Sequence, residues 1–156
     1  MWLGIDPGKH GAFVVVDADY QVVLESAVPM IGKDYDDGQM LILLHTAKAL
    51  GVSLCTIERT QAMPKQGATS GWAIGQGFGL WRMGLRAAGL PYQIVSPSKW
   101  KGTFGINGDN QKNQAIILAK RLVPTLTMRP TPRSRVDSAD HAEAALLAIY
   151  GMRQHG

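Results

Sequence analysis

The segment Gly11-Ala12-Phe13-Val14-Val15-Val16 constrains this chain more than any other feature. It is a continuous apolar run, β-branched and aromatic in character, with no polar residue to face water, which is the signature of a buried strand. Such a strand needs other elements to cover it, and the rest of the sequence supplies them in a readable order. Trp2 to Ile5 reads as a short strand closed by the turn sequence Asp6-Pro7-Gly8. Asp17-Ala18-Asp19 turns the buried run into a third strand over Gln21 to Leu24, so the chain opens as a β-meander. Met40, Leu41, Leu44, Ala47 and Leu50 carry helical spacing through Asp37 to Leu50, with Gly51 as a C-cap candidate. Val52 to Ile57 is the next strand, and Glu58 sits at its end. After a loop over Arg59 to Gly67 come a Gly-rich helix from about Ser70 to Gly89 and a strand over Tyr92 to Val95. Asn110 to Val123 is a helix, a Pro- and Arg-rich loop runs to Arg135, and the last helix spans about Asp137 to Met152. The expected fold is α/β, a mixed five-stranded sheet with helices on both faces, in one domain over residues 1–156.

A chain of 156 residues buries about 68–70% of its unfolded surface on folding, so it needs no staple. The single cysteine, Cys55, excludes a disulfide framework and a Cys-based zinc cluster within one chain. No apolar run reaches the length of a membrane span, and the acid at position 6 comes too early for a signal peptide. The expectation is a soluble cytoplasmic protein with no membrane partner.

The formal charge of +4 conceals a partition. Between Arg59 and Val136 stand 12 Lys or Arg and one acid, Asp109, a net +11. Segments 1–58 and 137–156 hold 4 bases and 11 acids, a net −7. A middle this basic either forms a solvated surface or meets a polyanion.

The acids are placed where chemistry is done. Asp6 follows a strand beside a glycine, and Glu58 closes another strand; ligands of α/β sheets bind near such strand ends. Glu occurs only at 25, 58 and 143, so its position after an apolar run needs a reason, either pairing with Arg59 or function. Asp137, Asp140 and Glu143 lie three apart at the start of the last helix, and such residues share a face with Cβ atoms about 5–6 Å apart. Capping explains one acid there but not three in register. Like charges so close repel, and a divalent cation relieves them; oxygen ligands select magnesium, with manganese able to substitute, over zinc. Two such ions about 3.5–4 Å apart can drive in-line attack on a phosphodiester.

The motifs also resemble a family. Gly4-Ile5-Asp6-Pro7-Gly8 is similar to the opening of RuvC-type Holliday junction resolvases, which belong to the RNase H-like nucleases. Ile57-Glu58-Arg59 with Met63-Pro64-Lys65-Gln66-Gly67 resembles the second acidic motif of phage-encoded members. Gly75, Gly77, Phe78 and Gly79, then Val95-Ser96-Pro97-Ser98-Lys99-Trp100-Lys101, and the closing Ala142-Glu143-Ala144-Ala145-Leu146-Leu147-Ala148 continue that likeness over almost the whole chain. The resemblance implies an RNase H-like fold, a homodimer, two-metal catalysis with magnesium and cleavage of four-way DNA junctions. It gives Asp6 and Glu58 the first two acidic roles. Two more acids three apart on the last helix are implied, and two frames fit: Asp137 with Asp140, or Asp140 with Glu143.

Several residues are candidates for DNA. Lys112 corresponds in position to a basic residue that the family uses near the scissile phosphate, and Lys120 can share its helix face. Lys99, Trp100 and Lys101 combine charge with a ring, and Trp100 is either core or a stacking platform for an unpaired base. Arg59 and Gln66 flank the second acidic motif, where a loop can enter a junction. His10 and His141, beside the acids, read as bystanders or phosphate contacts. Gly71, Gly75 and Gly79 line one helix face and permit close packing, with Trp72, Leu80, Trp81 and Met83 as apolar area for a second copy. The competing readings are a nuclease for flaps or other branched DNA, and a non-catalytic junction-binding module. An actin-like nucleotide-binding fold needs two such domains, so no nucleotide cofactor is expected.

Overall fold

A computed structural model describes residues 1–60 and 67–156. The chain runs β1 (Trp2–Ile5), β2 (Ala12–Val16), β3 (Val22–Ala27), β4 (Met30–Ile31), β5 (Asp34–Tyr35), α1 (Asp37–Ala49) and β6 (Leu54–Glu58). It continues through α2 (Ala68–Ala87), β7 (Tyr92–Val95), α3 (Pro97–Thr103), α4 (Gln111–Leu122) and α5 (Ala139–His155). Five strands form one sheet in the order β3-β2-β1-β6-β7. β3, β2 and β1 pair antiparallel, while β6 and β7 join parallel to β1. This is the expected mixed α/β sheet, since the meander makes antiparallel hairpins and each helical crossover returns a parallel strand.

Every residue of β2 is fully buried, because the two faces of the sheet carry separate cores. Ala12, Val14 and Val16 lie in the core with α4 and α5. Leu3, Ile5, Phe13 and Val15 lie in the opposite core with α1 and α2. Period-two alternation sorts side chains between the faces. α5 crosses β1 closely: a Cβ on Gly4 would strike the backbone carbonyl of Ala144 and the backbone nitrogen of Ala148. Only glycine in the strand, with alanines on the helix, allows that approach.

Four details differ from the sequence expectation. α3 forms where no helix was expected, starting at Pro97, whose fixed φ suits the first helical position. The small hairpin β4–β5 was also unanticipated. α5 begins at Ala139 because the Ser138 side chain caps it, accepting from the His141 N–H at 3.4 Å. Asp137 therefore precedes the helix, and the expected three-step ladder of acids has two steps. Trp81 is fully buried and stacks on Phe13 at 5.8 Å, so it offers no area to a second copy. Trp72 and Met83 are exposed, and a Cβ at Gly75 or Gly79 would meet only open space. Among the described residues no helix is long and apolar enough to cross a membrane.

Candidate active site

The sheet register brings the first two acids together. Gly4 pairs with Thr56 and Ile5 with Ile57 in the parallel β1–β6 ladder. The next residues, Asp6 and Glu58, thus stand at corresponding positions on strands about 4.8 Å apart. Alternation turns both toward the face covered by α5, since Gly4 two residues before Asp6 lies against that helix. α5 adds Asp140 in its first turn and Glu143 one turn later, 6% exposed.

The four acids act on one another through their charges. Burial raises the Asp6 carboxyl from 3.8 to about 7, and the charges of Glu58, Asp140 and Glu143 add to the rise against the Gly8 N–H, which donates to Asp6 Oδ1 at 3.2 Å. Burial also raises Glu58; a hydrogen bond from Trp100 and the charge of Lys101 oppose it, while Glu143 and Asp140 reinforce it. Both shifts follow from removing negative charge from water and facing it with more of the same sign.

α3 secures two of the acids through adjacent residues. Trp100 Nε1 donates to Glu58 Oε2 at 2.6 Å, and Lys101 Nζ lies 2.9 Å from Glu143 Oε1. Lys101 Nζ also sits 5.3 Å from the Trp100 ring centroid. Lys112, 75% exposed, reaches 3.7 Å from Asp140 Oδ1. Trp100 is fully buried, so its ring offers no free face to a base in this conformation, and its indole N–H is given to the Glu58 carboxylate.

Asp137 stands apart. Its oxygens are taken by Lys120 Nζ at 2.6 Å and Arg129 Nη2 at 3.5 Å. The Lys120 hydrogen bond, with the charges of Lys120 and Arg129, holds its carboxyl below the ordinary range. Asp137 is not among the charges that raise Asp6 or Glu58, whereas Asp140 and Glu143 are. Lys120 is thereby committed to the approach to α5, while Lys99 and Arg59 are exposed. Gln66 lies outside the described residues.

One buried pair escaped the sequence reading of His141 as a bystander or phosphate contact. His141 Nδ1 lies 2.6 Å from Glu25 Oε1, and Glu25 also accepts from the backbone N–H groups of Thr127 and Met128. β3, the loop before α5 and the first turn of α5 are thus fastened at one carboxylate. No local signal links residues 25 and 141.

The donor set suits a hard divalent cation. All four groups offer oxygen, and the buried Glu143 Oε1 has the Lys101 ammonium 2.9 Å away. Among the described residues no three of these groups converge into a ready-made metal cage. The ammonium of Lys101 stands against Glu143 where positive charge is wanted.

No family model matches the sequence, and no curated protein matches it. Solved structures do match. The chain has an RNase H-like α/β fold, built on a five-stranded mixed sheet. More particularly, it has the fold of RuvC. A structure of Thermus thermophilus RuvC in complex with Holliday junction substrate matches at TM-score 0.68 and 18% identity, over 97% of this chain and 94% of that one. A second Thermus thermophilus RuvC structure matches at TM-score 0.67 and 16% identity, over 97% of this chain and 95% of the other.

Proposed function

We propose that this protein is a magnesium-dependent endonuclease that resolves four-way DNA junctions by paired nicks. The observation that carries the reading is the electrostatic coupling of Asp6 and Glu58, at the ends of β1 and β6, with Asp140 and Glu143 of α5, on a RuvC-type fold. Those four are the proposed metal ligands, and manganese should substitute for magnesium. Bound there, the metal would activate a water and relieve charge on the leaving oxygen of a phosphodiester. Trp100 and Lys101 orient Glu58 and Glu143, and the exposed Lys112 can turn from Asp140 to a phosphate. Four-way DNA as substrate is suggested by the matching RuvC bound to a Holliday junction. Paired nicks on such a substrate require two sites, so we propose a homodimer with isologous contact. The open faces of Gly75 and Gly79 and the exposed Trp72 and Met83 on α2 support that contact.

The test compares nicking of four-way, three-way, flap and linear DNA, with magnesium and with chelator. Symmetric nicks on the four-way junction, only with magnesium, are expected. Equal cutting of flaps would reassign the protein to branched-DNA cleavage in general. Tight junction binding with no cutting in magnesium or in manganese would leave a junction-binding module and overturn the nuclease reading.

A further inference from the structure

Glu25 stands on β3, an outer strand of the sheet, yet its carboxylate reaches the first turn of α5. The register explains the reach: Glu25 pairs with Val14, whose side chain lies in the core shared with α4 and α5. Cross-strand partners face the same side of a sheet, so Glu25 faces that core too. There it accepts four hydrogen bonds. Thr127 gives Oε2 its backbone N–H at 3.0 Å and its hydroxyl at 2.9 Å. Met128 gives Oε1 its backbone N–H at 2.9 Å, and His141 Nδ1 lies 2.6 Å from the same oxygen. A carboxylate only accepts, so the imidazole holds its proton on Nδ1.

Two of those bonds govern where α5 begins and how it is turned. Met128 is a buried residue at φ 52°, a left-handed backbone that side chains disfavour. It is held there from both sides: Glu25 takes its N–H, and its carbonyl accepts from the Ser138 N–H at 2.9 Å. Ser138 is the residue that caps α5. His141 follows Asp140 directly and precedes Glu143 by two residues. Glu25 is the only hydrogen-bond partner of its ring among the described residues, because Nε2 is buried without one. A hydrogen-bonded helix holds neighbouring side chains at fixed angles, so fixing His141 fixes the directions of Asp140 and Glu143. Asp6 follows β1 and Glu58 ends β6 in the sheet to which Glu25 belongs. Glu25 thereby refers the acids of α5 to the sheet that carries the other two.

We infer that Glu25, acting through His141 and Met128, is a positioning residue that sets the helix carboxylates against the sheet carboxylates for a divalent cation. The inference rests on the proposed nuclease reading and adds to it a residue on the outer strand of the sheet. Loss of the clamp should weaken metal binding and leave the DNA surface as it is, since the His141 and Glu25 side chains are only 1% and 9% exposed.

The test measures manganese binding to the full chain without DNA, by titration calorimetry, for wild type, Glu25→Gln, His141→Leu and His141→Asn. Glu25→Gln puts an NH2 where an oxygen accepts two donors, and His141→Leu fills the ring's volume without a donor. His141→Asn can place an N–H where Nδ1 carries one, but leaves part of the ring's volume empty. Glu25→Gln and His141→Leu should bind manganese at least about 10-fold more weakly, the scale on which groups that orient metal ligands act. His141→Asn should bind close to wild type. Half-saturating magnesium for nicking should rise by the same factor, with the rate at saturating magnesium retained and junction affinity in chelator unchanged. Circular dichroism below the melting transition verifies the fold, and the two His141 variants decide alone if Glu25→Gln does not fold. A purely structural role orders the variants by packing, so His141→Leu binding like wild type while His141→Asn loses affinity overturns the inference. Wild-type manganese affinity in every variant, in a protein that nicks junctions, also overturns it and spares the nuclease reading. Donor-dependent affinity in a protein that never nicks supports the clamp and removes the nuclease reading. A wild type that binds no manganese removes both.

Discussion

Neutralising one carboxylate of the cluster should stabilise the metal-free protein, although the residue is proposed to be essential. In Asp6→Asn the side chain keeps an oxygen that can accept from Gly8 and loses the charge facing Glu58, Asp140 and Glu143. The folded Asp6 carboxyl titrates at about 7 against an ordinary value of 3.8. Between those values the folded chain holds a proton that the unfolded chain has released, so stability falls as pH rises through that interval. Above about 7 both states are ionised and the whole penalty is present; below 3.8 both are protonated and it vanishes. At about 1.4 kcal/mol per pH unit, the span corresponds to about 4 kcal/mol. Asp6 is half-buried and its neighbours can relax, so about 2 kcal/mol should remain after screening. For a domain of this size that is a rise in melting temperature of about 4–8 °C. Thermal melts in chelator at pH 8 and pH 4 measure it. The variant should melt higher at pH 8 and nearly coincide with wild type at pH 4. A variant that melts lower at pH 8, or gains equally at both pH values, would refute the burial and repulsion that raise the Asp6 carboxyl.

Two further substitutions test the roles of neighbours. Trp100→Phe removes the 2.6 Å hydrogen bond to Glu58; a bond to a charged group is worth about 1.5–3 kcal/mol, read in urea melts. Because that bond lowers the Glu58 carboxyl, its loss should move the acid limb of the cleavage-rate profile to higher pH. An unmoved limb would reduce Trp100 to packing. Asp140→Asn and Glu143→Gln should each lower nicking by more than the roughly 10–100-fold that a supporting partner of a metal ligand is worth. Asp137→Asn should leave the rate near that of wild type, and an equal loss there would restore Asp137 to the ligand set.

Local sequence determined the frame of this protein. The unbroken run of β2 could only be a strand covered on both sides, and both cores are built on it. Asp6 and Glu58 were legible because each directly follows an apolar strand. Period-two alternation then sets which face they join. The partner on the last helix was not legible: spacing allowed Asp137 or Glu143, and the choice depends on the Ser138 cap and on Lys120 and Arg129 claiming Asp137. Trp100 between two lysines read as core or as a stacking platform and not as the partner of a carboxylate, since Glu58 is 42 residues away. Arg59, Arg82 and Arg86 become neighbours only because β7 follows β6 in the sheet and α2 packs beside them. Hydrophobic period and turn chemistry act over a few residues, so the chain displays them directly. Pairing between charges and donors from different elements exists only after the sheet register and helix crossings have fixed which side chains meet.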